Sequence, residues 1–195
     1  MPTPLWKNTP DPAMPKGKLA LVVGPSGAGK DTLIAGARAQ LAGDTNFVFP
    51  RREITRPADA GGEDHIPVSR ETFAQRRADG AYALAWEAHG LGYGVPAGIA
   101  EDLAHGRTVV VNVSRAVVAA ARGKFEFVQV LNITAPPEAL AARLVARARE
   151  TADDISRRVA RAGQFALAGD DVLELVNDSD IETGVSRLVE ALRAS

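Results

Sequence analysis

The chain has 195 residues, with 24 acidic and 23 basic side chains, a net charge of −1 and no cysteine. A balanced charge excludes the diffuse basic surface of a general nucleic-acid binder, and the lack of thiols excludes disulfides, thiolate metal sites and cysteine nucleophiles. No apolar run approaches the roughly 20 residues of a membrane-spanning helix, so the expectation is one compact domain in the cytoplasm, with neither membrane nor nucleic acid as partner.

Residues 1–17 are rich in proline and show no periodicity, which predicts a flexible tail; they also lack the apolar centre of a signal peptide. Residues 18–195 are the predicted domain. Leu19-Ala20-Leu21-Val22-Val23 is a short apolar run of strand length, and an Ala/Leu-rich helical pattern follows from Lys30 to about Leu41. Residues 51–98 interrupt this order. They carry RREITRPADAGGEDH and WEAHGLGYGVP, rich in Gly, Arg and His, and are predicted to be a substrate-holding insertion on the carboxyl edge of a sheet. Buried strands are then expected over 108–113, 127–133 and 172–176, each followed by a helical pattern over 114–122, 137–149 and 180–193 respectively. Residues 143–161 hold six arginines around an acidic turn, with Arg143 and Arg147 on one helix face and Arg157 and Arg161 on another. Such a segment reads either as a solvated, salt-bridged helical pair or as a small arginine-rich lid. Alternating strands and helices predict an α/β fold of three layers, α/β/α, with a parallel central sheet.

Between the first strand and the first helix lies Gly24-Pro25-Ser26-Gly27-Ala28-Gly29-Lys30. Glycines at these spacings let successive N–H groups turn inward around phosphate oxygens, the helix N-terminus adds positive potential, and Lys30 reaches the β and γ phosphates. The stretch predicts a nucleoside-triphosphate site. After the lysine stands Asp31, where this loop class often has a hydroxyl for Mg²⁺, and Thr32 comes next. An acid in the first helical turn complements the helix dipole. The strand over 108–113 carries Asn112, with Ser114 beyond it, where a metal-side carboxylate is usual. The second reading is therefore that the acid has moved onto the loop, with Asp31 holding Mg²⁺ directly or through water.

Beyond residue 17 the chain resembles the guanylate kinase-like branch of the P-loop kinases. The resemblance rests on the loop, on ITRP at 54–57, on YG at 93–94, on RLVARARET at 143–151 with Arg158 after it, and on VND at 176–178. It implies an ATP site made by Gly24 to Thr32 with Asn177 near the adenine. It implies acceptor-phosphate contacts from Thr55, Arg56 and Tyr93, and clamping of the transferring phosphoryl group by the lid arginines Arg147 and Arg158; Lys30 and Asp31 are the catalytic candidates on the loop itself. The departures remove guanine selectivity: the guanine-reading glutamate falls near Leu84, the strand aspartates at Asn112 and Ser114, and a second arginine at Asp59. With TRPADAGGEDH, WEAHGLGYGVP and NVSR, the chain is similar to the ribose 1,5-bisphosphate phosphokinases. That similarity implies transfer of the ATP γ-phosphoryl group to a sugar 1-phosphate during phosphonate breakdown, with ATP and Mg²⁺ as cofactors. A doubly phosphorylated sugar needs cations and short polar groups, and Arg52, Thr55, Arg56, His65, Glu87, His89, Tyr93, Asn112, Ser114 and Arg115 supply that set. Trp86 is expected as a packing anchor. A monomer or homodimer is expected; guanylate kinase and a non-catalytic binding module are the alternatives.

Overall fold

The computed structural model describes residues 16–58, 63–146 and 167–194. The predicted tail, Asp59, the lid arginines Arg147 and Arg158, and most of the predicted lid lie outside the described residues. The strands are β1 (Leu19–Val23), β2 (Phe47–Val48), β3 (Glu53–Ile54), β4 (Ile66–Pro67), β5 (Tyr82–Ala88), β6 (Leu91–Pro96), β7 (Thr108–Asn112), β8 (Val128–Thr134) and β9 (Val172–Val176). The helices are α1 (Lys30–Gln40), α2 (Arg70–Ala78), α3 (Ile99–Ala104), α4 (Val118–Lys124), α5 (Pro137–Ala146) and α6 (Ile181–Arg193), with a 3₁₀ turn at Arg115–Val117.

Five strands form one sheet in the order β2-β7-β1-β8-β9, and four form another in the order β4-β3-β6-β5. In the first, β2 runs parallel to β7 with Phe47 opposite Thr108, and β8 parallel to β9 with Val130 opposite Val172. This is the predicted parallel sheet. The described residues fall into two compact units, drawn from Met1–Ala20, Asp44–Val111 and Ala116–Val128 in one case and from Leu21–Gly43, Asn112–Arg115 and Gln129–Ser195 in the other.

The second unit owes its core to apolar residues with no alternation. Leu21, Val22 and Val23 of β1 are fully buried, as are Leu131 and Ile133 of β8; each such side chain contributes about 1.5–3 kcal/mol by leaving water. Helix α1 packs against α6, where a Cβ on Gly36 would strike Val185 and one on Gly184 would strike Leu33. Close helix contact is thus written into two glycines. Asp180 caps α6 by accepting from the Thr183 N–H at 2.9 Å.

One burial expectation is corrected. The run over 172–176 was expected to be covered on both faces, yet Leu173 is 41 % and Val176 42 % exposed. The reason is topological: among the described residues β9 is last in the sheet order and is paired with β8 alone.

The first unit contains the small sheet. The hairpin β5–β6 is antiparallel, with Trp86 opposite Tyr93, and its two-residue turn is His89-Gly90. Both turn residues have left-handed φ values, 51° and 73°, as a type I′ hairpin turn requires. Helix α2 begins at Ser69, whose side chain accepts from the Thr72 N–H at 3.0 Å.

Candidate functional site

In the second unit the glycine loop joins β1 to α1. Gly24 approaches β8 so closely that a Cβ would collide with the Ile133 carbonyl oxygen. Gly29 caps α1 at φ 91°. The turn leaves donors over: among the described residues the N–H groups of Ser26, Gly27 and Gly29 reach no acceptor, and Gly27 is buried. Buried amides are nearly always satisfied, so this row of donors fits an anion. Lys30 Nζ lies over the same loop, donating to the carbonyls of Gly24 at 2.8 Å and Pro25 at 2.9 Å.

Two side chains brace the loop from below. Asn177, buried at the end of β9, donates through Nδ2 to the Ala28 carbonyl at 2.7 Å. Arg143 of α5 donates to the Asn177 carbonyl at 3.2 Å and reaches the Ala28 carbonyl at 3.5 Å. Asn177 thus turns its amide to the loop's main chain, a role different from the adenine contact that the resemblance implied. Arg143 was read only as one arginine of the lid helix. A carbonyl partner 115 residues away leaves no mark in a sequence.

Asp31 and Asn112 meet. Asn112 Nδ2 donates to Asp31 Oδ1 at 2.7 Å, and among the described residues Asp31 Oδ2 has no partner. The loop carboxylate and the amide at the end of β7 are therefore one pair. An exposed carboxylate with one oxygen unengaged, next to a row of unengaged amides, suits a hydrated Mg²⁺ accompanying a triphosphate. No group of three or more His, Cys, Asp or Glu that would hold a metal by itself occurs among the described residues. Thr32 is exposed on the first turn of α1 and Ser114 is half-buried just past β7. Arg115 stands on the 3₁₀ turn with Nη2 3.5 Å from Asn132 Oδ1; burial lowers its pKa, and Glu174 partly offsets that shift.

In the first unit the predicted acceptor residues divide by sheet face. On one face Trp86 and Tyr93 stack with ring centroids 5.3 Å apart and 5° between planes, and the Arg52 guanidinium lies over both, 5.5 Å and 5.3 Å from their centroids. Arg52 is 6 % exposed and its fork is taken up by Glu63 in a two-bond pair. Burial and pairing leave it holding the aromatic stack rather than reaching for a phosphate. Trp86 is buried, as a packing anchor should be.

His65 is buried as well. Its Nδ1 lies 3.0 Å from the Glu63 carbonyl and 3.4 Å from Arg56 Nη2, and its Nε2 lies 3.1 Å from the Arg56 carbonyl. The ring ties the strand of the TR motif to the loop before β4. Arg51 repeats the tie from outside, donating to the His65 carbonyl and to Asp64, both at 2.9 Å. Arg56 keeps a buried Nε with no partner among the described residues, and with Thr55 it lines a cavity of about 360 Å³.

The other face looks toward α2. A Cβ on Gly92 would meet Phe73, and one on Gly94 would meet Tyr82. Thr55 Oγ1 accepts from the Gly92 N–H at 2.8 Å, and Thr55 and Glu87 line a second cavity of about 400 Å³ on this side. Deeper along the strand, buried Glu53 accepts from the Tyr82 hydroxyl at 2.5 Å and from Arg76. Desolvation, then the Glu53 carboxylate, raise the Tyr82 pKa. Exposed His89 supplies a hairpin turn, and among the described residues it has no side-chain partner.

Comparison with known proteins adds relatives and a fold neighbour. No family model matches the chain. Among curated proteins, it is 49 % identical over 178 residues to ribose 1,5-bisphosphate phosphokinase PhnN of Methylobacterium radiotolerans, covering 91 % of this chain and 98 % of that one. It is 57 % identical over 150 residues to the protein of the same name from Acidiphilium cryptum, covering 76 % and 80 %. It is 48 % identical over 176 residues to the bifunctional ribose 1,5-bisphosphokinase-thymidine phosphorylase of Roseobacter denitrificans, covering 90 % of this chain but 26 % of that much longer one. Among solved structures, guanylate kinase from Anaplasma phagocytophilum matches with a TM-score of 0.67 and 22 % identity, over 93 % of this chain and 87 % of that one, which shows a shared fold.

Proposed function

The chain belongs to the ribose 1,5-bisphosphate phosphokinase family, and from that premise we propose that it transfers the γ-phosphoryl group of ATP to ribose 1,5-bisphosphate. An oxygen of the sugar's 1-phosphate attacks the γ-phosphorus, the bond to the β–γ bridging oxygen breaks, and ADP leaves. The product is 5-phosphoribosyl 1-diphosphate, and the setting is phosphonate breakdown in the cytoplasm.

The observation that carries this reading is the row of unengaged amides at Ser26, Gly27 and Gly29 beside Lys30. They bind and orient the triphosphate. Lys30 leaves its two loop carbonyls for the phosphates when nucleotide enters. The acceptor oxygen is already ionised near neutral pH, so no general base is needed; charge neutralisation does the work. Bound Mg²⁺ would supply further neutralisation of the phosphate oxygens, with Asp31 as the carboxylate that holds it directly or through water. Asn112 orients Asp31 in this reading. Arg147 and Arg158 are assigned to the transferring group by family resemblance. Arg56, with its unspent buried Nε, is the strongest acceptor-phosphate ligand on the TR motif, and Tyr93 offers a hydroxyl from the stacked face. Arg52 and His65 act by holding those groups in place.

A coupled ADP-release assay offering ribose 1,5-bisphosphate and GMP in parallel, with phosphorus NMR of the product, tests the proposal. The sugar is expected to turn over and GMP to be idle. Brisk GMP phosphorylation would make the chain a guanylate kinase, and silence with both would leave a binding module.

A further inference from the structure

The cavity between α2 and the β5–β6 hairpin is not used by the proposed mechanism, yet its walls are chemically specific. Arg70, Phe73 and Arg77 stand at i, i+3 and i+7 along one face of α2 and line it together. Thr55, Glu87 and Gly92 close it from the strands. Because Gly92 has no side chain, the sheet wall is flat there.

Its polar groups have capacity to spare. Arg70 donates through Nη2 to the Gly90 carbonyl, and among the described residues its remaining donors have no protein acceptor. Among the described residues Arg77 has one partner, Glu87 at 3.4 Å, with side chains 53 % and 68 % exposed. So long and wet a pair is weak and easily exchanged for a better one. Thr55 accepts from the Gly92 N–H, so its own hydroxyl proton is available. Two guanidinium groups, a hydroxyl and one carboxylate therefore line the same cavity.

We propose that this cavity binds a small phosphorylated sugar, with the phosphate dianion on Arg70, Arg77 and Thr55 and a sugar hydroxyl donating to Glu87. Phosphate presents three charged oxygens in a tetrahedron, enough to occupy two guanidinium forks and a hydroxyl at once; a planar carboxylate offers two. The volume of about 400 Å³ lies within the range of small-ligand pockets and exceeds what bare phosphate would fill. Glu87 would repel a bare dianion but suits a hydroxyl donor. The site lies on the sheet face opposite the Arg52–Trp86–Tyr93 stack and is independent of which acceptor the enzyme phosphorylates.

The test is amide and arginine-Nε NMR titration of the full chain, with the glycine loop first saturated by ADP. The probes are ribose 5-phosphate and inorganic phosphate, and no turnover is involved. Ribose 5-phosphate is expected to shift Thr55, Gly92 and the Nε signals of Arg70 and Arg77. R70Q/R77Q should weaken it by about tenfold or more, as loss of charge-assisted contacts implies. E87Q separates the sources of phosphate: weaker ribose 5-phosphate binding supports the sugar hydroxyl contact, whereas tighter binding of both probes would overturn the sugar and leave a site for free phosphate. If the double variant fails to fold, R77Q alone, at an exposed position, gives the same readout. Shifts confined to residues outside the cavity, or wild-type affinity in a folded arginine variant, would overturn the proposal.

Discussion

Replacing Asn177 by Ala isolates the brace beneath the glycine loop. The substitution removes the 2.7 Å hydrogen bond to the Ala28 carbonyl, and Ala28 is fully buried, so water cannot replace the lost donor. What remains is the long 3.5 Å contact from Arg143. Leaving a buried acceptor unmet costs about 1–3 kcal/mol. At about 2–4 °C per kcal/mol for a chain of this size, Tm should fall by roughly 2–12 °C in a thermal melt. Asn177→Asp should be worse, because it sets a carboxylate oxygen against a carbonyl oxygen. Nucleotide affinity should fall in step, and by the same factor for ATP, GTP and tripolyphosphate, since Ala28 belongs to the phosphate loop and carries no base contact. A direct adenine contact predicts the opposite: an altered ATP-to-GTP ratio at constant Tm. That second pattern would refute the brace.

Three further outcomes follow from the same wiring. Asp31→Asn should raise the Mg²⁺ needed for half-maximal rate and weaken Mn²⁺ binding to the ADP complex in an EPR titration. Asn112→Ala should do the same to a smaller extent, with a coupling of about 0.5 kcal/mol between them; strict additivity would show that the 2.7 Å contact is inert. Arg52→Met strands the Glu63 carboxylate, which is only 18 % exposed, and should cost about 2–3 kcal/mol in urea denaturation; Arg52→Met with Glu63→Gln should recover much of that, and a neutral single variant would contradict the pairing. The Tyr82 pKa is raised above its ordinary value of 10.0, so its contribution to stability is complete below pH 10 and is lost as pH rises further, when the unfolded chain releases a proton that the folded one retains. Tyr82→Phe should flatten the decline of Tm between pH 10 and 11, and an unchanged slope would argue against the Glu53 contact.

The parallel sheet was legible because its strands are apolar runs without alternation, and the glycine loop because its spacing, its lysine and its place between strand and helix agree. The small sheet was less so. Strands β3 and β4 are two residues each, too short to show a period, and α2 was hidden inside a polar, arginine-rich stretch whose single buried residue is Phe73. Exposure on β9 could not be foreseen either, because Val-Leu-Glu-Leu-Val reads alike in a central or an edge strand, and only the strand order decides. At the site, the sequence offered candidate residues but not their partners. His89, expected to touch substrate or to fix a loop, stands with Gly90 in a hairpin turn, and Asn112 facing Asp31 joins positions 81 residues apart.

The arginines show why partners matter more than residue type. A fork that suits phosphate suits carboxylate equally well, so composition cannot say which of the two it holds. Arg51, Arg52 and Arg76 are each occupied by a carboxylate, of Asp64, Glu63 and Glu53 respectively. To bind a ligand anion, each would have to abandon an internal carboxylate, and for the Arg52–Glu63 pair that carboxylate is largely shielded from water. Arg56 and Arg70 carry no such cost. Among the described residues Arg56 has a buried Nε with nothing to donate to, and Arg70 has one main-chain acceptor for five N–H groups. The residues able to take a phosphate are therefore those whose donors the fold has left unspent, and removing them should disturb ligand affinity with little loss of stability. Arg52→Met and Arg56→Met, compared for urea stability and for acceptor KM, should separate cleanly: stability for the first, KM for the second. If both variants lost stability equally, donor accounting would fail as a guide to ligand residues in this fold.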